Sequence, residues 1–191
     1  VDPINIAAHI YISLQEIIAR EISATQSAVL TIGKFVAGEA ANIIPGEVVM
    51  EGTIRSLNKE IGEFIFNRVN DIVISTAKMF RGEAELIELS SVPPLTNDTE
   101  LSKEVTSYLK DLLGEKSVVL FEGGGMGSED FASYSYKVPS VYLMLGAGTK
   151  QENPLYGEAM HNEKVVFNED ILVTGAAMHT YSAIMWLKNN K

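Results

Sequence analysis

Residues 28–55 read AVLTIGKFVAGEAANIIPGEVVMEGTIR, and this stretch decides how the first half of the chain folds. Over 28–36 and 47–55 the residues are β-branched or alternate between apolar and polar, which predicts two β-strands. The AGEAANIIPG between them is rich in glycine and small residues and contains a proline, so it predicts a long loop. We therefore expect two neighbouring strands joined by a loop that carries Asn42, with Arg55 at the end of the second strand.

Helical patterns lie on both sides of these strands. Asp2 and Pro3 form a good helix start, because aspartate caps an N-terminus and proline suits the first helical position. Apolar residues at helical spacing then predict helices over 3–22 and 59–80, and an alternating pattern predicts a short third strand over 83–89. The order helix, strand, strand, helix, strand is that of a ferredoxin-like βαββαβ unit lacking its first strand. The chain is thus expected to be cut from something longer.

A domain boundary is predicted at SVPP, residues 91–94, because two prolines cannot continue a ladder or a helix interior. Beyond it, helices alternate with two short apolar strands, which indicates buried parallel strands in an α/β layer. Two strands are too few for such a sheet, so this half is also expected to be incomplete. The helices are predicted over 99–113, 128–134 and 168–187, and the strands over 117–121 and 140–145.

Composition narrows the possible functions. The 191 residues are 46% hydrophobic, which is enough to bury a core. A net charge of −10 argues against nucleic acid as a partner, since phosphates attract Lys and Arg. No apolar run approaches the roughly 20 residues of a membrane-spanning helix, and no signal-peptide pattern opens the chain, so we expect a cytoplasmic protein. Without cysteine, any metal must be held by histidine, carboxylate, carbonyl or water.

The glycine-rich GGGMGSEDFA, residues 123–132, superficially resembles a phosphate-binding loop. It lacks the Lys-Ser/Thr ending, and Glu129 and Asp130 at the predicted helix start would repel phosphate. One interpretation is structural, with the two acids complementing the helix dipole after a flexible turn. The other is a supporting role beside an active site, where a carboxylate orients a ligand or a general base.

The three histidines do not form a metal site in this sequence. His161 lies in a polar turn, AMHNE, before the last predicted helix. His9 and His179 lie inside predicted helices with no ligand spacing to His161, and are expected to be packing or helix-surface residues. Because zinc needs three or four ligands, a complete site cannot be assembled from this chain.

Asn42 and Arg55 are a candidate pair for binding a carboxylate. Arginine donates a planar fork of N–H groups, and an asparagine amide adds another donor. The alternative is a turn asparagine and an edge-strand arginine without a shared ligand. The residue types alone leave both interpretations open.

Five stretches, taken in order, resemble the C-terminal part of the M20 metallopeptidase family. They are the VDPINIAAHIYISLQEIIARE helix, AANIIPGEVVMEGTIRS, PLTND, MGSEDFASY with VPSVYLMLG, and MHNEKVVFNED with GAAMHTYSAIMW. The closest branch holds N-acyl-amino-acid amidohydrolases, hippurate hydrolases, auxin-conjugate hydrolases and carboxypeptidases. The resemblance covers essentially the whole chain, and the order of the motifs makes it specific.

The resemblance implies two domains. Residues 1–92 match an α+β lid, a ferredoxin-like dimerisation domain here lacking its first strand. Residues 93–191 match the C-terminal part of the α/β catalytic domain.

The motifs also imply site residues. His161 corresponds to the last metal ligand, and Glu129 and Asp130 to a motif that supports the site. Asn42, Arg55 and Gly146 correspond to positions that bind the substrate, the first two through its carboxylate.

The activity that the resemblance implies is metal-dependent hydrolysis of the amide bond of N-acyl amino acids or small peptides. In such an enzyme two divalent ions, zinc or else manganese or cobalt, activate a water while a glutamate general base moves its proton. That glutamate, the other metal ligands and a lid histidine all belong upstream of Val1. We therefore expect this chain to be a homodimer-forming part of the enzyme, without catalytic residues of its own and inactive alone. The alternative is a non-catalytic dimerisation or carboxylate-binding module.

Overall fold

A computed structural model describes residues 1–121 and 123–190. The chain divides into two compact units, the first formed by Val1–Leu95 with Gly123–Ser133 and the second by the rest of the described residues. In chain order the elements are α1 (Pro3–Glu16) continued by a π-helical turn (Ile17–Glu21), β1 (Ala28–Ala37), β2 (Val48–Ser56), α2 (Lys59–Met79), α3 (Thr99–Leu113), α4 (Ala132–Ser135) and α5 (Ile171–Asn189), with 3₁₀ turns at Glu115–Ser117 and Pro154–Gly157.

The helices of the first unit begin and end where the sequence predicts. The Asp2 carboxylate accepts hydrogen bonds from the N–H groups of Ile4 and Asn5, at 2.9 and 3.4 Å, and so satisfies two N–H groups that have no partner within the helix. Asn58 caps α2 in the same way through the N–H of Ile61, at 3.1 Å. The predicted helices over 3–22 and 59–80 are confirmed, although the last turn of the first one is π-helical.

β1 and β2 form an antiparallel pair, as predicted. Leu30 lies opposite Ile54, and both side chains face the helices because alternate residues of a strand share a face. The register shifts between Ile32 and Lys34, so Gly33 is the extra residue of a β-bulge.

The core of the first unit lies where α1 and α2 meet this sheet. Eight buried residues form one cluster, and partly buried side chains of both strands pack against it. The eight are Ile6, Ile10, Leu14, Ile17, Ile65, Val69, Val73 and Ala77.

An ion pair ties the end of the π-helical turn to α2. Arg68 donates from Nε and Nη2 to the two carboxylate oxygens of Glu21, at 2.6 and 2.8 Å, and from Nη1 to Asp71 at 3.2 Å. The hydrogen bond from Arg68 lowers the pKa of Glu21 below its ordinary value. The hydrogen bond to Glu21 raises the pKa of Arg68 in turn.

The predicted third strand, 83–89, is wrong. The segment has no regular secondary structure, and the sheet formed within the described residues has two strands only. A strand needs a neighbour for its N–H and C=O groups, and none is formed there by the described residues. Leu86 packs against the core, but Leu89 is 83% exposed. A ferredoxin-like sheet is therefore not completed by the described part of the chain.

The second unit is built around α3 and α5. Asp98 caps α3 by accepting from the N–H of Leu101 at 2.8 Å, and the helix spans the predicted 99–113. Its buried cluster consists of Val105 and Leu109 of α3 with Met178 of α5. The Tyr181 hydroxyl donates to Asp111 at 2.5 Å and links the two helices.

The predicted strands over 117–121 and 140–145 are also wrong. Neither segment forms a strand in the described residues, and both expose apolar side chains, including Phe121 and Met144. Both segments are apolar, but pairing requires neighbouring strands, which the described residues do not supply. The mixture of helix and strand thus holds for the first unit, while the second is helical with long irregular segments.

The two other predicted helices of this half are shorter or shifted. The helix predicted over 128–134 is the single turn Ala132–Ser135, and the one predicted over 168–187 is Ile171–Asn189. Among the helices of 1–121 and 123–190, none is both long and apolar enough to cross a membrane.

Candidate functional site

Arg55 lies near the end of β2, opposite Val29 of β1. Its neighbour Ile54 packs on the helices, so Arg55 lies on the other, exposed face of the sheet. One guanidinium nitrogen, Nη1, donates to the main-chain carbonyl oxygen of Met126. A charged and exposed guanidinium on an open sheet face can bind an anion.

Asn42 lies at the tip of the loop between β1 and β2. The base of the loop is closed by Gly38, which has a φ of +65°, and by Pro45, whose side chain lies 3.8 Å from the position of a Cβ at Gly38. A turn with the Ile43 N–H donating to the carbonyl of Ala40, at 3.2 Å, shapes the tip. Asn42 is exposed there and free to meet a ligand.

A single copy of the chain does not bring Asn42 and Arg55 together. The loop joins Ala37 to Val48, which pair with each other, whereas Arg55 pairs with Val29 towards the other end of the ribbon. At about 3.3 Å per residue, Val48 and Arg55 are about 23 Å apart along the strand. The loop residues 41–44 are exposed, so the loop does not fold back over the sheet.

Glu129 and Asp130 lie in the turns that lead into α4. The Glu129 carboxylate accepts from the N–H of Phe131 at 3.1 Å, and its carbonyl accepts from Ala132 at 3.0 Å. The carbonyl of Asp130 accepts from Ser133 at 3.1 Å. These contacts fit the structural interpretation, in which the acids stabilise the start of a helical turn, and the supporting role in an active site stays a prediction.

Gly146 lies in the irregular segment that follows the predicted strand 140–145. It is exposed, and a Cβ added to it would meet no atom within 4 Å. The segment is anchored on both sides: the N–H of Asn168 donates to the carbonyl of Ala147 at 2.9 Å, and Asn97 holds Tyr142. The main chain around Gly146 is therefore accessible.

Asn97 is a residue for which the sequence predicts no role, although it belongs to the PLTND motif. Its side-chain oxygen accepts from the N–H of Tyr142 at 2.7 Å, and its Nδ2 donates to the Tyr142 carbonyl at 3.0 Å. The next residue, Asp98, donates its N–H to the carbonyl of Ser140 at 2.9 Å. The start of α3 thus fixes the segment that leads to Gly146.

His161 has an unusual backbone. Its φ is +61°, in the left-handed region that costs a non-glycine residue about 1–2 kcal/mol. Asn162 holds the following turn, with its side-chain oxygen accepting from the N–H of Lys164 at 2.8 Å and its carbonyl accepting from Val165 at 3.1 Å. His161 is exposed in the described part of the chain.

The described residues do not form a metal site. Within 1–121 and 123–190, no group of three or more His, Asp or Glu side chains could hold an ion. His9 instead stacks on Phe80 with ring centroids 4.7 Å apart, and His179 lies on the exposed surface of α5, as the sequence predicted for both. His161 would be a single ligand, so the donor set present does not fit a two-metal centre by itself.

The sequence identifies the family. The profile of Peptidase family M20/M25/M40 matches residues 12–184. The chain belongs to this family.

Two curated relatives show how much of a family member the chain represents. It is 36% identical to an uncharacterised hydrolase, y4tI, of Sinorhizobium fredii, over 91% of this chain and 42% of that protein. It is 31% identical to IAA-amino acid hydrolase ILR1-like 2 of Arabidopsis thaliana, over 98% of this chain and 42% of that protein. The chain thus spans less than half the length of these relatives.

A solved structure shares the fold. The crystal structure of the Bacillus subtilis YXEP protein, a dinuclear metal-binding peptidase of the M20 family, superposes with a TM-score of 0.77 at 24% identity. The likeness covers 98% of this chain and 47% of that one. It therefore shows that the fold of the M20 family extends over nearly all of this chain.

Proposed function

We propose that this chain is the C-terminal part of a metal-dependent amidohydrolase or carboxypeptidase, which hydrolyses the amide bond of N-acyl amino acids or small peptides. The match of the M20 family over residues 12–184 carries this proposal. It is supported by the relative from Arabidopsis thaliana, which is named an IAA-amino acid hydrolase. Because the chain spans less than half of its relatives, the activity belongs to the longer protein.

Within that protein, Arg55 binds the free carboxylate of the substrate. It is exposed on the outer face of the sheet, and a guanidinium matches a carboxylate with two parallel hydrogen bonds. In the second unit, Gly146 is a separate substrate-binding candidate, because its main chain is open to contact.

His161 contributes one ligand to the two divalent ions, for which zinc, manganese and cobalt are all suitable. Its left-handed backbone supports the assignment, since strained conformations cluster at functional sites. The ions, once held together with ligands from outside the described residues, supply an activated water. Glu129 and Asp130 support the site by ordering the turn before α4.

The first unit acts as the lid and joins two copies in a homodimer. About 23 Å of β2 lies between the loop that carries Asn42 and the position of Arg55, so the two residues can share one carboxylate only if they come from different copies. In a dimer, Asn42 of one copy completes the clamp around Arg55 of the other.

The decisive test compares this chain with a version extended upstream to the length of its relatives. We expect the extended protein to bind two metal equivalents and to hydrolyse an N-acyl amino acid such as N-benzoylglycine, and the short chain to do neither. Metal content and product release are measured on both. Turnover by the short chain would contradict the assignment of the catalytic groups to the upstream part.

A non-catalytic dimerisation or carboxylate-binding module is the second candidate, because an exposed arginine such as Arg55 can bind a carboxylate without any catalytic group. The substitution Arg55→Ala distinguishes the hydrolase from the non-catalytic module. The hydrolase predicts a rise in KM of about 10- to 150-fold in the extended protein, because a charge-assisted contact of about 1.5–3 kcal/mol is lost. The module predicts dimers that survive this change, with no turnover in either length of chain.

A further inference from the structure

A glycine-rich segment lies against the arginine to which the proposed function assigns the substrate carboxylate. Nη1 of Arg55 donates to the carbonyl oxygen of Met126, a residue 71 positions further along the chain. Both residues belong to the first compact unit. The contact connects the GGGMG sequence, which does not match a phosphate loop, to the outer face of the sheet.

The contact with Met126 leaves the Nε–Nη2 edge of the Arg55 guanidinium open. Arginine has five N–H groups in one plane, and the carboxylate fork needs two that are parallel. Met126 uses Nη1, whereas Nε and Nη2 make no hydrogen bond to the described residues. Because the guanidinium is planar, a hydrogen bond at Nη1 restricts the rotation of the whole group and so limits the directions in which the Nε–Nη2 edge can point before a ligand arrives.

We propose that the segment Gly124–Met126 is a positioning element for Arg55, in which the Met126 carbonyl holds the guanidinium so that its Nε–Nη2 edge receives the carboxylate of the substrate. The inference rests on the proposed function. An exposed arginine otherwise loses side-chain freedom on binding, and a fixed one has already lost it, so the segment increases affinity by preorganisation.

The lack of a side chain at Gly124 allows the segment Gly124–Met126 to lie close to Leu57. A Cβ at Gly124 would lie 3.2 Å from Cδ2 of Leu57, which is tighter than ordinary van der Waals contact. A Cβ at Gly127 would meet nothing within 4 Å. Neither glycine has a positive φ, so the two positions differ in space and not in backbone strain.

This difference provides a matched pair of variants for the extended enzyme with N-benzoylglycine as substrate. We expect Gly124→Val to push the segment off Leu57 and raise KM about five- to tenfold with little change in kcat, because Arg55 is no longer held. Gly127→Val should leave KM unchanged. Leu57→Ala added to Gly124→Val removes the obstructing methyl groups and should return KM towards the wild-type value.

Two outcomes separate this inference from the proposed function. If Arg55→Ala raises KM while Gly124→Val does not, the carboxylate assignment stands and the positioning role is overturned. If Arg55→Ala leaves KM unchanged, the assignment itself fails, and the positioning role fails with it.

A second measurement needs no turnover and uses the 191-residue chain. In a ¹⁵N-edited NMR spectrum, a guanidinium held at Nη1 rotates slowly and shows distinct Nη signals. We expect these signals from Arg55 in the wild type and in Gly127→Val, and their loss in Gly124→Val. Free rotation of Arg55 in the wild type would overturn the proposal.

Discussion

The two compact units bury their apolar side chains to very different extents. In the first, eight residues of α1, the π-helical turn and α2 form one cluster, with a sheet packed on it. In the second, only Val105, Leu109 and Met178 form the buried cluster of the described residues, and α5 leaves Leu172 and Val173 exposed. The larger buried cluster is thus the one against which a sheet also packs.

The largest expected effect compares the same substitution in both units. Leu14 and Leu109 are 2% and 3% exposed, so Leu→Ala removes the same group from equally buried positions. We expect Leu14→Ala to cost about 4 kcal/mol and Leu109→Ala about 2 kcal/mol, because a small cluster at a surface collapses around the gap more easily. Amide hydrogen exchange in α2 and α3 measures the free energy of opening in each unit separately. Equal losses would show that the second unit is packed as tightly as the first.

The same contrast explains what the sequence could predict of the fold. The pairing of β1 with β2 was predictable because one loop joins them directly. Leu30 therefore lies opposite Ile54 without any contribution from distant parts of the chain. The segments 83–89, 117–121 and 140–145 also have strand-like patterns, but a pattern records which residues prefer a sheet and not whether a neighbour exists. The strand predictions were wrong for the segments that have no directly connected neighbouring strand.

For the candidate site as well, local features could be predicted from the sequence and a long-range contact could not. The position of Arg55 at the end of β2 followed from the strand pattern, and so did the exposed loop that carries Asn42. The separation of these two residues follows from the hairpin register, since the loop and the far end of β2 cannot be adjacent. The contact of Arg55 with Met126 spans 71 residues and had no signal other than the run of glycines.

A pH titration of stability should distinguish the two units, because one is expected to lose stability at low pH and the other at high pH. The hydrogen bond from Arg68 lowers the pKa of Glu21 below its ordinary 4.5, so the stability it gives is present above that pH and is lost as the pH falls through the folded-state pKa. The hydrogen bond to Asp111 raises the pKa of Tyr181 above its ordinary 10.0, so its contribution is present below that pH and is lost as the pH rises through the folded-state pKa. The first unit should therefore weaken in acid and the second in alkali.

Two variants provide the controls for this titration. Glu21→Gln should reduce the acid dependence of the first unit and cost up to about 1 kcal/mol at neutral pH, since the pair is partly exposed. Tyr181→Phe should reduce the alkaline dependence of the second. Trp186 fluorescence follows the second unit, and hydrogen exchange in α2 follows the first. The prediction is contradicted if either variant changes the pH dependence of the other unit.

The smallest expected effect compares two residues with nearly the same strained backbone. Arg81 has a φ of +63° because it follows α2 in a Schellman motif, where its N–H donates to Lys78 and that of Gly82 donates to Ala77, at 3.0 and 2.9 Å. Glycine suits such a position, so Arg81→Gly should stabilise the first unit by about 0.5–1 kcal/mol, with no effect on turnover of the extended enzyme.

His161, with a φ of +61°, follows no helix, so no helix-capping motif explains its backbone. His161→Gly should relieve the same strain and stabilise the second unit by a similar amount, about 0.5–1 kcal/mol, yet abolish metal binding and turnover in the extended enzyme. Thermal unfolding of the 191-residue chain and metal content of the extended protein measure the two effects. A stabilised His161→Gly enzyme that keeps its metal would show that the left-handed histidine is only a turn residue, like Arg81.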